Sequence, residues 1–170
     1  MNRKFWSVLV VAALCAGVGQ LAAAPLSFVV TANKKRFEVD RSSTASTMST
    51  KEQWGYSITI ENKSFKALEN LDVQYRQFKF DDDRKKEGQL KPVPGETKIP
   101  ALGNGAKFKF DTAPVTIEKQ ELKANWSHMD GSKDKVKDAL AGYWLRILKD
   151  GEVVFETQNP PALKDKVKWE

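Results

Sequence analysis

His128 is the only histidine and Cys15 the only cysteine in the 170-residue chain, so imidazole and thiol chemistry are almost closed to it. A structural zinc site needs four nitrogen or sulfur ligands, and one residue of each kind cannot supply them. No Gly-x-Ser-x-Gly, His-Glu-x-x-His or phosphate-cradling glycine loop occurs. Gly103-Asn104-Gly105 matches only the opening of a dinucleotide fingerprint and precedes no helical pattern, so it reads as a turn. Asp81-Asp82-Asp83 offers oxygens to a hard cation, but Arg84-Lys85-Lys86 follows at once, and the alternating ligands and glycine of a calcium loop are missing. A solvated loop is expected there. Carboxylates for glycoside hydrolysis could come from Glu61, Asp72 and Glu121, yet the relevant distance is spatial and spacing along the chain does not give it. The expectation is a protein without catalytic residues, metal or cofactor.

Aromatic side chains are the better candidates for recognition, because tryptophan joins a broad apolar face to one N–H donor. Trp54 shares the phase of Tyr56 and Ile58 and is assigned to the core. If Tyr143, Leu145 and Ile147 point inward, Trp144, Arg146 and Leu148 fall on the other face of their sheet. Either the C-terminal tail folds back, laying Val167 and Trp169 on Trp144, or Trp144 belongs to an open ligand platform. Trp126 lies beside the His128 loop, as a loop anchor or as a rim aromatic for a sugar or partner. Trp126, Trp144, Trp169 and Arg146 are therefore the candidate ligand-binding residues.

Alternation along the chain supplies the elements that would position them. Trp54, Tyr56, Ile58 and Ile60 alternate with polar residues, the period of a half-buried strand. Asn62-Lys63-Ser64 opens a connection to a neighbouring strand of the same sheet, with Phe65 and Leu68 tucked onto the core. The next strand carries Leu71, Val73 and Tyr75, and a bulge near Arg76-Gln77 would return Phe78 and Phe80 to that face. Shorter strands are read around Leu26 to Val30, Phe37 to Val39, Phe108 to Phe110 and Ile117 to Trp126, with a basic turn at Lys34-Lys35-Arg36. Tyr143 to Leu148 and Val153 to Phe155 flank Lys149-Asp150-Gly151, where glycine can take the positive φ of a three-to-four-residue hairpin turn. Arg41 to Lys51 and the proline-rich Lys91 to Pro100 read as turns, and short helices are placed near 133–141 and 161–167. The fold class that follows is all-β, a single antiparallel immunoglobulin-like sandwich of about seven to nine strands.

The run Ile58-Thr59-Ile60-Glu61-Asn62-Lys63-Ser64, with Leu71-Asp72-Val73 and the later Pro100-Ala101-Leu102-Gly103-Asn104-Gly105 before an alternating strand, resembles bacterial immunoglobulin-like and fibronectin-III-like domains of cell-adhesion-related modules. The likeness covers about Trp54 to Phe155. It implies a seven-stranded sandwich that scaffolds, links or binds, and it carries over no catalytic residue. An insertion at 81–98 and a tail at 160–170 depart from that pattern.

Arg3 and Lys4, an apolar stretch from Phe5 to about Gly19 and the small Ala22-Ala23-Ala24 have the order of a secretory signal peptide over 1–24. Its apolar part is shorter than the roughly 20 residues of a membrane span, so contact with a membrane is expected only through this segment if it stays uncleaved. Leu14 before Cys15 argues against a lipid anchor, and the remaining 25–170 reads as one cysteine-free domain stabilised by its core. The chain carries 28 Lys and Arg against 22 Asp and Glu, a formal net charge of +6 that falls to +4 without the first 24 residues. Export argues against a nucleic-acid ligand. The expected role is a secreted or periplasmic binding or scaffolding module with an envelope or extracellular protein partner; the alternative is a carbohydrate or anionic envelope polymer.

Overall fold

The structure, a computed structural model, describes residues 26–169. The expected signal segment at 1–24 lies outside the described residues. The elements run β1 (Phe28–Ser43), β2 (Thr47–Asn62), β3 (Leu68–Asp81), β4 (Gln89–Leu102), β5 (Lys107–Asp111), β6 (Val115–Leu122), β7 (Lys135–Lys137), β8 (Ala139–Lys149), β9 (Glu152–Asn159) and α1 (Leu163–Lys166). One antiparallel sheet has the order β1-β2-β6-β7, with β5 beside the distal half of β2, and the other has the order β4-β3-β8-β9. The protein is a β-sandwich.

Inward residues of both sheets form the core: Phe28, Tyr56, Ile58, Ile60 and Ile117 meet Leu71, Val73, Ile99, Leu145 and Ile147. Tyr56 and Tyr143 close across the layer edge to face, with centroids 5.0 Å apart. Burial pushes the Tyr56 hydroxyl up to about 12, so it stays neutral across the physiological range.

Two buried amides tie the sheets together. Asn62, fully buried at the end of β2, directs its Nδ2 at the carbonyls of Lys66 (2.9 Å), Leu102 (3.0 Å) and Gly103 (3.1 Å). Its Oδ1 accepts from the Ser64 N–H (2.9 Å) and from the Ser64 hydroxyl. Gln77, equally buried, donates to the Ala113 carbonyl at 2.7 Å and accepts from Thr112 Oγ1 at 2.9 Å, which in turn accepts the Tyr56 N–H at 2.8 Å.

The structure corrects several expectations. In place of the helix expected at 133–141, residues 135–137 form β7 and 139–141 the start of β8, because Val136 is half-buried and Asp138 and Leu140 are buried with a period of two; the second expected helix is present as the single turn α1. The connection after Asn62 crosses between the sheets, burying Leu68 while leaving Phe65 exposed. β3 keeps its phase: Gln77 takes the inward position, Phe78 turns to the outer face, and the bulge falls on β8 at Ala141, between the pairs Phe78↔Gly142 and Lys79↔Leu140. Lys34-Lys35-Arg36 lies within β1, whose bulge is at Phe37, and Arg41 to Lys51 continues two strands around a turn at 44–46. The expected insertion at 81–98 is a loop at 82–88 followed by β4. At Asp150 (φ 53) and Gly151 (φ 84) the hairpin closes in two residues, with Lys149 paired to Glu152, the tight form that strand twist favours.

Asn62→Ala removes an amide that both donates and accepts, leaving buried carbonyls and the Ser64 N–H unpaired. Urea unfolding is expected to show a loss of about 3 kcal/mol, against about 1 kcal/mol for Ser64→Ala. A loss below about 1 kcal/mol for Asn62→Ala would show that the crossover is held by other means.

Candidate functional site

Three of the four candidate residues meet on the outer face of the β4-β3-β8-β9 sheet. Trp144 is buried there with Phe78 and Leu163, and Leu90, Ala141, Val167 and Trp169 pack around them. The segment after β9 doubles back over the sheet as a strap. Gly142 makes this close approach feasible, since a Cβ at that position would sit 2.3 Å from the Asn159 carbonyl oxygen and 2.8 Å from Pro160 Cδ. Of the two arrangements the sequence left open, the folded-back tail is the one present.

Trp169 stands edge-on to Trp144 with centroids 5.4 Å apart. Two guanidiniums flank its ring, Arg146 at 4.3 Å and Arg76 at 4.7 Å from the centroid. Arg146 donates to Glu156 Oε2 at 2.6 Å, and Lys164 pairs with the other oxygen of Glu156 while lying 5.6 Å from the Trp144 centroid. Burial would raise Glu156, but these two cations outweigh it and hold the carboxyl below its ordinary range. Trp144 Nε1 and Gln158 Oε1 are buried without hydrogen-bond partners, and the two residues are cross-strand neighbours.

Trp126 does not join this group. It is 57% exposed in the β6–β7 loop, near Met129, which is fully exposed. Sequence reasoning missed Arg76, Phe78, Glu156 and Lys164 as members of the Trp144 site. The phase slip that placed Phe78 opposite Tyr75 was the available signal, and its outward reading would have found the site.

A second concavity, a cleft of about 690 Å³, opens where the β3–β4 loop meets β6 and β7. Lys79 sits at its base, 2.6 Å from Asp81 and 2.8 Å from Asp138. Desolvation pulls the Lys79 ammonium down, yet the two carboxylates together hold it above its ordinary value. The three consecutive aspartates diverge: Asp81 pairs also with Lys91, Asp82 pairs with Lys133 at 2.7 Å, and Asp83 accepts from the Lys85 and Lys86 N–H groups. Arg84 reaches across the cleft to Gln120 Oε1 at 2.8 Å and to the ring of His128. These contacts tie loops to strands, and they commit the carboxylates to cations of the same chain.

No family model matches the chain, and no curated protein matches it. Solved structures similar in part are a Northeast Structural Genomics Consortium target (14% identity, TM-score 0.37, 79% of this chain and 89% of that one) and a protein described as ApaA from Bordetella pertussis (12%, 0.35, 79% and 89%). A third, from Akkermansia muciniphila, is 8% identical with TM-score 0.32 over 84% of this chain and 77% of that one. No helix among the described residues is long and apolar enough to cross a membrane.

The cleft gives stability a pH dependence. Hydrogen bonds first from Lys79 and then from Lys91 hold Asp81 below its ordinary value of 3.8, and Lys133 does the same for Asp82. A carboxylate lowered on folding stabilises the fold above its unfolded value, and that contribution disappears as pH falls through the folded value. Lys79, raised on folding, contributes below 10.5 and loses the contribution as pH rises through its folded value. The urea midpoint is therefore expected to be flat near neutrality and to fall below about pH 4. Asp81→Asn should lower the plateau and flatten the acid limb; superimposable acid limbs would remove Asp81 from the account.

Proposed function

We propose that the protein is a secreted or periplasmic binding module that takes an extended segment of a protein partner along the free edge of β1. The supporting observation is how unevenly the sheet edges are protected. β4 carries Pro92, Pro94 and Pro100, β9 is interrupted by a bulge at Val154, and β5 and β7 are short. β1 has 16 residues and no proline.

Its direction of hydrogen bonding follows from the neighbours. The Asn62 N–H and C=O bond to Ala106 and Gly105, away from β1, while the Lys63 N–H bonds to the Ser27 carbonyl. In the register Phe28↔Asn62, the peptide groups of Phe28, Val30, Ala32, Lys34 and Arg36 therefore face outward. A strand added there would gain a run of main-chain bonds, with Val29 and Phe37 exposed beside it for side-chain selection. The sequence resemblance to immunoglobulin-like and fibronectin-III-like modules, which scaffold and bind, is in keeping with this reading. A polymer site would gather lysines and aromatics on one open face, whereas the tryptophan-rich face is occupied by the protein's own strap.

The test is to select extended peptides against the purified domain and to map the bound state by amide hydrogen exchange. Protection is expected at Val30, Ala32 and Lys34. Ala32→Pro, which removes an outward N–H without taking a bond from the β1–β2 ladder, should weaken binding at least about tenfold, the worth of one hydrogen bond. Ligands that leave the β1 amides unprotected would refute the edge as the binding surface.

A further inference from the structure

We propose that the segment from Pro160 to Trp169 is a displaceable strap, and that the sheet face beneath it takes an acidic peptide bearing an aromatic side chain. The strap is held by side chains and not by main-chain bonds to the sheet. Its backbone hydrogen bonds, Leu163 N–H to Pro160 and Val167 N–H to Leu163, are internal, and none joins it to the sheet. The polar ties to the sheet are the Gln158 amide on the Pro161 carbonyl, the Lys164–Glu156 pair and a long 3.4 Å bond from Arg76 to the Lys168 carbonyl. Segments with few such ties open at low free-energy cost.

The strap also fits its bed incompletely. Trp144 Nε1 and Gln158 Oε1 stay buried and unpartnered beneath it, although buried polar groups are ordinarily paired. Beside Leu163 an apolar groove of about 340 Å³ lies open to solvent, lined by Phe80, Leu90, Ala141 and Pro160, with Lys166 at its lip. A segment whose sole task was to cover the sheet would satisfy those atoms and leave less apolar surface open beside Leu163.

Charge identifies the better occupant. The strap brings Lys164, Lys166 and Lys168 against one acid, Asp165, and lays them over a bed that holds Arg76 and Arg146. Glu156 is the carboxylate shared between Arg146 and Lys164. A peptide with an aromatic residue in the Trp169 position and carboxylates around it would keep the stacking between guanidiniums and replace like charge by opposite charge. Its backbone carbonyls could accept from the Trp144 indole N–H.

Fluorescence anisotropy with labelled Asp-Glu-Val-Trp-Glu-Asp, on the full chain, tests this. Binding is expected, with at least about tenfold tighter binding to Trp169→Ala, since the strap no longer competes, and loss of binding in Arg146→Ala. The same peptide with Ala for Trp, or with Lys for its acids, should bind at least about tenfold more weakly. In the wild-type chain, titration should also move the Trp144 indole N–H resonance, a readout that needs no variant to fold. No binding to either chain, an unmoved indole resonance, or equal binding of the lysine peptide would overturn the proposal. So would uptake of dodecanoate in place of the peptide, which would make the groove an acyl site. The bed lies on the sheet opposite β1, so Ala32→Pro should leave this binding intact, and the two readings stand or fall separately.

Discussion

A buried side-chain amide at the end of β2 is the constraint on which the two-layer architecture depends. The chain must leave one sheet after Asn62 and enter the other at Leu68, and a crossover inside a protein exposes carbonyls that neither sheet can pair. Asn62 resolves this by pairing the Lys66, Leu102 and Gly103 carbonyls with its donors and the Ser64 N–H with its acceptor. Its own main chain meanwhile bonds to Gly105 and Ala106, so one residue fixes the end of β2, the crossover and the β4–β5 turn. A hydroxyl or an apolar side chain has too few donor and acceptor sites for that set of contacts. Gln77 performs the corresponding task further along the core, where it holds the β5–β6 connection against β3 through Thr112 and Ala113.

With the layers joined, the fold still has edges to protect, and it treats them differently. The three prolines of β4 share one parity with Lys98 and Glu96, so the side of that strand facing away from β3 lacks the N–H donor at Pro92, Pro94 and Pro100. β9 is bulged and runs into the Pro160-Pro161 pair that starts the strap. β1 has a bulge only at Phe37, which leaves Phe28 to Arg36 regular. A sandwich that places prolines on the long edge of one sheet and none on the long edge of the other is asymmetric in where it resists strand addition.

Period-two alternation made most strands legible, because each buries one face: Tyr56, Ile58 and Ile60 stand in the core as their spacing predicts. The long strands were harder to read, since β1 beyond Ala32 is exposed on both faces and carries apolar alternation only at Phe37 and Val39. Prolines likewise read as turns in β4, because an edge strand tolerates what a central strand cannot. Gln77 was misread for a different reason. Expecting an apolar residue at that inward position forced a bulge into β3, whereas a glutamine with two protein partners is cheap to bury and leaves Phe78 for the outer face. Trp144 and Arg146 are identifiable from phase and Trp169 from the expected return of the tail, but Arg76, Glu156 and Lys164 join them only through register and the strap's actual path.

The distribution of charge follows from the same geometry. Three basic residues in succession look like a patch in one dimension, but a strand sends neighbours to opposite faces. Lys34 accordingly donates to the Leu140 carbonyl, Lys35 pairs with Asp111, and Arg36 lies 3.7 Å from Glu52. In the β3–β4 loop, Arg84 is drawn to Gln120 and Lys85 to Asp130. The charge of these two basic runs is thus dispersed among local pairs over several surfaces. A polyanion gains most from cations arrayed along one track, where many counterions are released together. Dispersed pairs commit their charge to contacts within the chain, and Lys164, Lys166 and Lys168 over Arg76 and Arg146 are the exception, where cations gather on one face.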